Sequence, residues 1–161
     1  MNKQEVIELL DEQRVMYTLI EHPAVYTVEE IDALKLPHST MVVKNLFLRD
    51  DKKKNYYLLV AGKDKKINLK ELRDVIPSRP LSFGSEDDLM AYLNLTKGSV
   101  TPLGVLNDVG RSVHVLVDSE VMDYEVMGIH PNENTATVWL SPQDLKRIVE
   151  WHGNSFCSLD I

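Results

Sequence analysis

The sequence predicts one α+β (mixed α/β) domain over residues 1–161, with a mixed, largely antiparallel sheet flanked by helices. Three observations predict it. β-rich runs dominate the middle of the chain, capped helical segments lie between and around them, and no linker or internal repeat interrupts the sequence. A hydrophobic content of 43% is enough for a real core in a chain of 161 residues.

The elements follow in order. Asn2 and Glu5 read as a capping box, and Val6, Leu9 and Leu10 supply the apolar face of a first helix ending near Gln13. Met16 to Ile20 reads as a short strand. Thr27-Val28-Glu29-Glu30 reads as a second capping box, opening a helix through about Leu34. Thr40 to Arg49 and Tyr56 to Ala61 are β-rich runs around the polar turn Asp51-Lys52-Lys53-Lys54-Asn55, which makes a hairpin. Asn68 caps a helix carrying Leu69, Leu72 and Val75, and Ser85 with Asp88 caps another through Leu93. Ser112 to Val117, Tyr124 to Ile129 and Thr135 to Leu140 read as strands. Ser141 with Asp144 starts a last helix through about His152, with Leu145, Ile148 and Val149 facing the core.

Composition narrows the function. The first twenty residues carry charges throughout, unlike a signal or transit peptide, and no apolar run approaches the roughly 18 residues of a membrane span. The single cysteine, Cys157, excludes an internal disulfide and a CxxC metal site, and a cytoplasmic protein without membrane association is expected. Net charge is −7, so the broadly basic surface of a non-specific nucleic-acid binder is absent. The charge is uneven: residues 1–80 hold 14 Lys and Arg against 13 Asp and Glu, whereas residues 81–161 hold 4 against 12. Six lysines fall between Lys52 and Lys66. They read either as solvated turns or as a local phosphate-contacting edge on an acidic protein. With no evident apolar stripe, a monomer is the default.

Three segments carry residues suited to chemistry. Lys44 and Asn45 interrupt the apolar run Met41 to Phe47; a lysine there either points to water or projects a cation into a pocket, where it stabilises negative charge. On a regular strand Asn45 points to the opposite face. Gly98 to Gly104, GSVTPLG, allows a tight loop whose backbone N–H groups approach a ligand closely, and Ser99 and Thr101 add hydroxyls. His130 ends an apolar run before Pro131 and suits proton exchange or a hydrogen bond to an ester. Arg79 precedes the run Leu81-Ser82-Phe83 and reads as a strand-end arginine or a phosphate contact; Asn107-Asp108 reads as a structural turn. His22, His38, His114 and His152 show no zinc-binding spacing, and no nucleophile elbow or phosphate-binding glycine loop occurs.

In this order and at these separations the segments resemble the YbaK/ProX-type aminoacyl-tRNA deacylases. These stand-alone editing proteins match the editing domain of bacterial prolyl-tRNA synthetases, and the resemblance covers nearly the whole chain. Lys44 and Asn45 match the family's lysine pair. Gly98, Ser99, Val100, Pro102 and Gly104 match its glycine-rich loop, which sits beside the amino-acid pocket. His130, Pro131, Asn134, Thr135 and Thr137 match its histidine segment, and Arg79 an arginine before an LSF-like strand. The resemblance implies a mixed sheet flanked by helices, with the substrate pocket at one side. It implies trans-hydrolysis of a small amino acid, alanine above all, from mischarged proline tRNA, without metal or cofactor. Lys44 and His130 are the expected catalytic residues; Asn45, Arg79, the Gly98–Gly104 loop including Thr101, and Asn134 are the expected substrate contacts. The expected partner is the tRNA acceptor end, with transient contact to prolyl-tRNA synthetase. Removal of cysteine or serine, and a non-catalytic tRNA- or synthetase-binding module, are the alternatives. Two departures stand out: Leu103 where many relatives have phenylalanine, expected to alter pocket size, and the tail HGNSFCSLDI, expected to alter tRNA contacts.

Overall fold

A computed structural model describes residues 1–161. Its β-strands form two sheets that share one core. Lys3–Glu12 forms α1, closed by the full Asn2–Glu5 capping box, and Tyr17–Glu21 forms β1. Val28–Ala33 forms α2, where Thr27 accepts from the Glu30 N–H. The expected box is only half made there, because the Glu30 carboxylate takes the Tyr26 N–H at 3.2 Å instead of that of Thr27. Val43–Asp50 (β2) and Tyr56–Gly62 (β3) make the expected hairpin, registered Val43 to Gly62 through Arg49 to Tyr56. A 3-10 turn at Ser39–Met41 replaces the expected start of β2.

Leu69–Val75 (α3), Leu81–Phe83 (β4) and Glu86–Leu93 (α4) lead to the glycine loop, which folds as 3-10 turns at Lys97–Ser99 and Pro102–Asn107. Val113–Asp118 (β5) runs into a short helix, Ser119–Met122 (α5), capped by Asp118. Met127–Ile129 (β6), Ala136–Leu140 (β7), Pro142–His152 (α6) and Phe156–Leu159 (β8) complete the chain. The strand expected from Tyr124 therefore starts three residues later, since the Tyr124 N–H is taken by Val121 in the turn that closes α5. Gly153 ends α6 with φ +108°, a left-handed cap that favours glycine.

The larger sheet has the order β4-β2-β3-β5-β8 and the smaller the order β1-β7-β6. The β1–β7, β2–β3, β2–β4 and β6–β7 pairings are antiparallel, while β3–β5 and β5–β8 are parallel. Strand alternation assigns each face of the large sheet. Val43 and Phe47 of β2 enter the main core with Val138 and Leu140 of β7 and with Leu145, Ile148 and Val149 of α6. Leu48 turns to the other face, where it packs with Leu59, Leu72 of α3, Leu116 and Leu159. The sheets meet where Val42 bridges Gly128, and this seam positions the candidate site. No helix is long and apolar enough to cross a membrane.

Candidate active site

A cavity of about 150 Å³ opens at the seam. Its floor comes from Val42, Val43, Lys44 and Asn45 at the start of β2 and from Gly128 and Ile129 of β6. Lys97, Gly98 and Val100 of the glycine loop form one side, Val25 to Val28 and Ile31 another, and His130 and Thr137 the third. The lining contains no carboxylate. No cluster of three or more His, Cys, Asp and Glu side chains anywhere in the chain is placed to hold a metal ion.

Three of the sequence segments thus converge, although Lys44 and His130 lie 86 positions apart. Asn45 shares the Val43–Phe47 face, and its amide donates to the Val100 carbonyl at 3.3 Å. That carbonyl can only accept, which fixes the amide orientation and leaves Asn45 Oδ1 buried without a partner. Lys44 takes the other face of β2, as alternation requires, and its ammonium donates to the Lys65 carbonyl. An ammonium carries three donors, so two remain. Lys65 is itself held by Asp118, at 2.7 Å, and by Glu120 at 3.5 Å.

His130 donates through Nδ1 to the Ala136 carbonyl at 2.8 Å. The carbonyl requires a proton on Nδ1, so the neutral ring presents Nε2 as an acceptor. Burial pushes the His130 pKa below 6.5; the Ala136 carbonyl opposes this and nearby His22 reinforces it. The ring centroids of the two histidines lie 6.2 Å apart.

The remaining predicted residues take supporting places. Thr101 is fully buried and donates to the His130 carbonyl at 2.7 Å, tying the glycine loop to the histidine segment. Ser99, Pro102 and Gly104 are buried and do not line the cavity. Gly104 is needed for packing, because a Cβ there would meet Leu95 at 2.5 Å. Gly98 does face the cavity, and a Cβ there would meet the Tyr26 ring at 2.5 Å. Asn134 donates to the Val25 carbonyl at 2.8 Å and so holds the wall instead of lining it.

Arg79 is not brought to the site. It grips Asp51 through Nε at 2.6 Å and Nη2 at 3.1 Å, in the turn beyond the far end of β2. Seven residues of strand from Lys44 to Asp51 amount to roughly 23 Å. Leu103 does not set pocket size either, because it is fully buried in the main core. The tail forms β8 on the sheet edge. Within the second lysine run Lys63 pairs with Asp32 at 2.5 Å and Lys65 with Asp118, so these two support the fold rather than a free phosphate edge.

Sequence reasoning passed over the wall made by Tyr26, Thr27, Val28 and Ile31. The Val28–Ile31 spacing marks one helical face, but nothing local says what that face covers. Thr137, read with the histidine segment, proves to be a cavity residue.

The cavity is free of carboxylates and lined by two lysines, Lys44 and Lys97, and a neutral histidine, so it presents polar donors and an acceptor in a small space. The chain belongs to the aminoacyl-tRNA editing domain family, which matches residues 22–148. It is 50% identical to the prolyl-tRNA editing protein ProX of Acetoanaerobium sticklandii over 159 residues, covering 99% of this chain and 97% of that one. It is 38% identical to the mouse prolyl-tRNA synthetase associated domain-containing protein 1, over 84% of this chain and 82% of that one. Among solved structures, a candidate trans-editing enzyme for prolyl-tRNA synthetase has a TM-score of 0.72 at 17% identity, covering 100% of this chain and 98% of that one. An uncharacterised protein has a TM-score of 0.75 at 19% identity, covering 98% and 99%. Both share the fold.

Proposed function

We propose that this protein is a trans-acting deacylase that hydrolyses the ester joining a small amino acid, alanine first, to proline tRNA. The observation that supports it is the convergence of Lys44, Asn45, Gly98, Val100 and His130 on one cavity in a chain of this family. Water attack on the ester carbon creates an oxyanion, which pre-positioned donors stabilise. Lys44 is assigned that role, with two ammonium donors beyond the one bonded to Lys65. His130 contacts the substrate as a neutral acceptor.

No carboxylate lines the cavity, so no strong protein base is at hand, and the neighbouring ribose hydroxyl of the substrate is assigned to orient the water. The cavity measures about 150 Å³. That suits the amino acid alone, and the adenosine remains outside at the mouth. Selection is then by size: Gly98, pressed against Tyr26, and Val100 limit the side chain admitted. The names of the relatives above, with this assignment, support a transient encounter with prolyl-tRNA synthetase as the source of substrate.

The test is deacylation of alanyl-tRNA carrying the proline anticodon, beside correctly paired alanyl-tRNA and prolyl-tRNA. Alanine release from the first alone is the expected result. Release of cysteine or serine instead would change the substrate, and binding of every charged tRNA without release would make the protein a binding module.

A further inference from the structure

His22 and Thr137 form a hydrogen-bonded pair at the cavity's edge. His22, just before the wall segment, reaches Thr137 with Nε2 at 2.8 Å and the Pro23 carbonyl with Nδ1 at 2.9 Å. The carbonyl can only accept, so Nδ1 carries the proton. With the ring neutral, Nε2 is an acceptor and the Thr137 hydroxyl must donate to it. That consumes the only proton of the hydroxyl. Thr137 lines the cavity, and its oxygen has lone pairs left for a donor.

The cavity must hold an amino group if its ligand is an aminoacyl ester, yet it contains no carboxylate to do so. Beside Lys44 and Lys97 it offers neutral groups, and among these Thr137 Oγ1 is primed by His22 as an acceptor. A hydroxyl whose proton is already taken can only accept, so it favours a donor-bearing ligand.

We propose that Thr137, oriented by His22, is the acceptor that receives the substrate's α-amino group. This rests on the deacylase reading for the identity of the ligand. The site then tests two properties: side-chain size through Gly98 and Val100, and the presence of an amino group through Thr137. His22 touches no substrate and acts as a positioning residue.

The experiment measures binding of two amide analogues of the tRNA end, 3′-deoxy-3′-alanylamino-adenosine and its 3′-propionylamino counterpart, which lacks the amino group. Neither analogue needs to be turned over. Wild type is expected to prefer the alanyl analogue. Thr137→Val, close in shape, is expected to lose about tenfold of that preference, the worth of one hydrogen bond. Thr137→Ser should retain it. His22→Ala should lose it as well, and His22→Gln, whose side-chain oxygen can replace Nε2 as acceptor, should restore it.

A merely structural role for His22 would weaken both analogues equally and leave the preference unchanged, which overturns the proposal. No preference in wild type overturns it too. Should Thr137→Val fail to fold, the His22→Ala and His22→Gln pair decides. Deacylation of alanyl-tRNA by wild type, run in parallel, separates the two ideas. A retained preference without hydrolysis leaves the amino-group site standing and removes the deacylase reading.

Discussion

The two ends of β2 carry similar polar residues and use them in opposite ways. At the C-terminal end Asp50 accepts from the Lys54 N–H at 2.9 Å and the Asn55 amide at 2.8 Å, Asp51 holds Arg79, and Arg49 pairs with Asp88 at 2.5 Å. Every one of these charges is closed on a partner within the fold. At the N-terminal end Asn45 leaves Oδ1 without a partner, His130 keeps Nε2 open, and Lys44 has only one of its three donors engaged. Proteins satisfy buried polar groups almost everywhere. A set left open around a cavity is therefore where a ligand completes the bonding, whereas a closed set is architecture. Residue type alone does not separate the two: Lys44 within β2 and Arg79 just before β4 are both cations.

The sharpest way to break this contrast is Lys44→Ala. Hydrolysis of alanyl-tRNA should fall by about 10²–10³-fold or more, the range for removing one oxyanion donor. Thermal unfolding should barely move, since the lost bond lies at a half-buried position. Activity equal to wild type would sink the assignment.

His130→Ala comes next, with a loss on the order of 10²-fold. The pH profile sharpens it. Because burial depresses the His130 pKa, the ring stays neutral in the folded protein below 6.5, and the acid limb of activity should lie under that value. The sign for stability follows. As pH falls below 6.5 the unfolded chain takes up the proton first, so this residue removes stability in that window and has no effect above it. An acid limb at or above 6.5 would show that the imidazole is not held as the geometry requires.

Asp108 tests the opposite kind of residue. It is buried and accepts from the Val113 N–H at 2.8 Å and the Asn154 amide at 2.9 Å, which matches its reading as a structural turn. Asp108→Ala strands those donors and should cost about 2–4 kcal/mol in denaturant unfolding. The cavity and its catalytic chemistry should survive wherever the variant remains folded. The smallest effect is expected at the closed end of β2. Arg79→Ala removes an exposed pair with Asp51 and should leave deacylation unchanged. A marked loss of tRNA affinity there would mean that the distant turn also contacts substrate.

Local signals account for what was legible. Capping residues predict where α1, α4 and α6 begin, because an N-cap bond spans only three residues. Alternation predicts the β2–β3 hairpin and the opposite faces of Lys44 and Asn45. β8 was not predicted from any local pattern, and β4 only through the resemblance's LSF-like strand, because they are four and three residues long and largely exposed. Such strands exist through edge pairing with β2 and β5, which no local pattern encodes.

The sequence by itself determined the fold class, the positions of the principal helices and strands, and the residue types of the lysine, glycine-loop and histidine segments. Each depends on periodicity or on residues close in the chain. Only the tertiary structure decided which candidates meet. It brought Lys44, Asn45, Gly98, Val100 and His130 to one cavity and sent Arg79 to Asp51. It set Thr101 and Asn134 behind the wall, and it added Tyr26, Ile31 and Thr137 to the lining. The physical reason is that a hydrogen bond such as His22 to Thr137 joins residues 115 positions apart. Its donor and acceptor roles arise only once two sheets have packed on a common core.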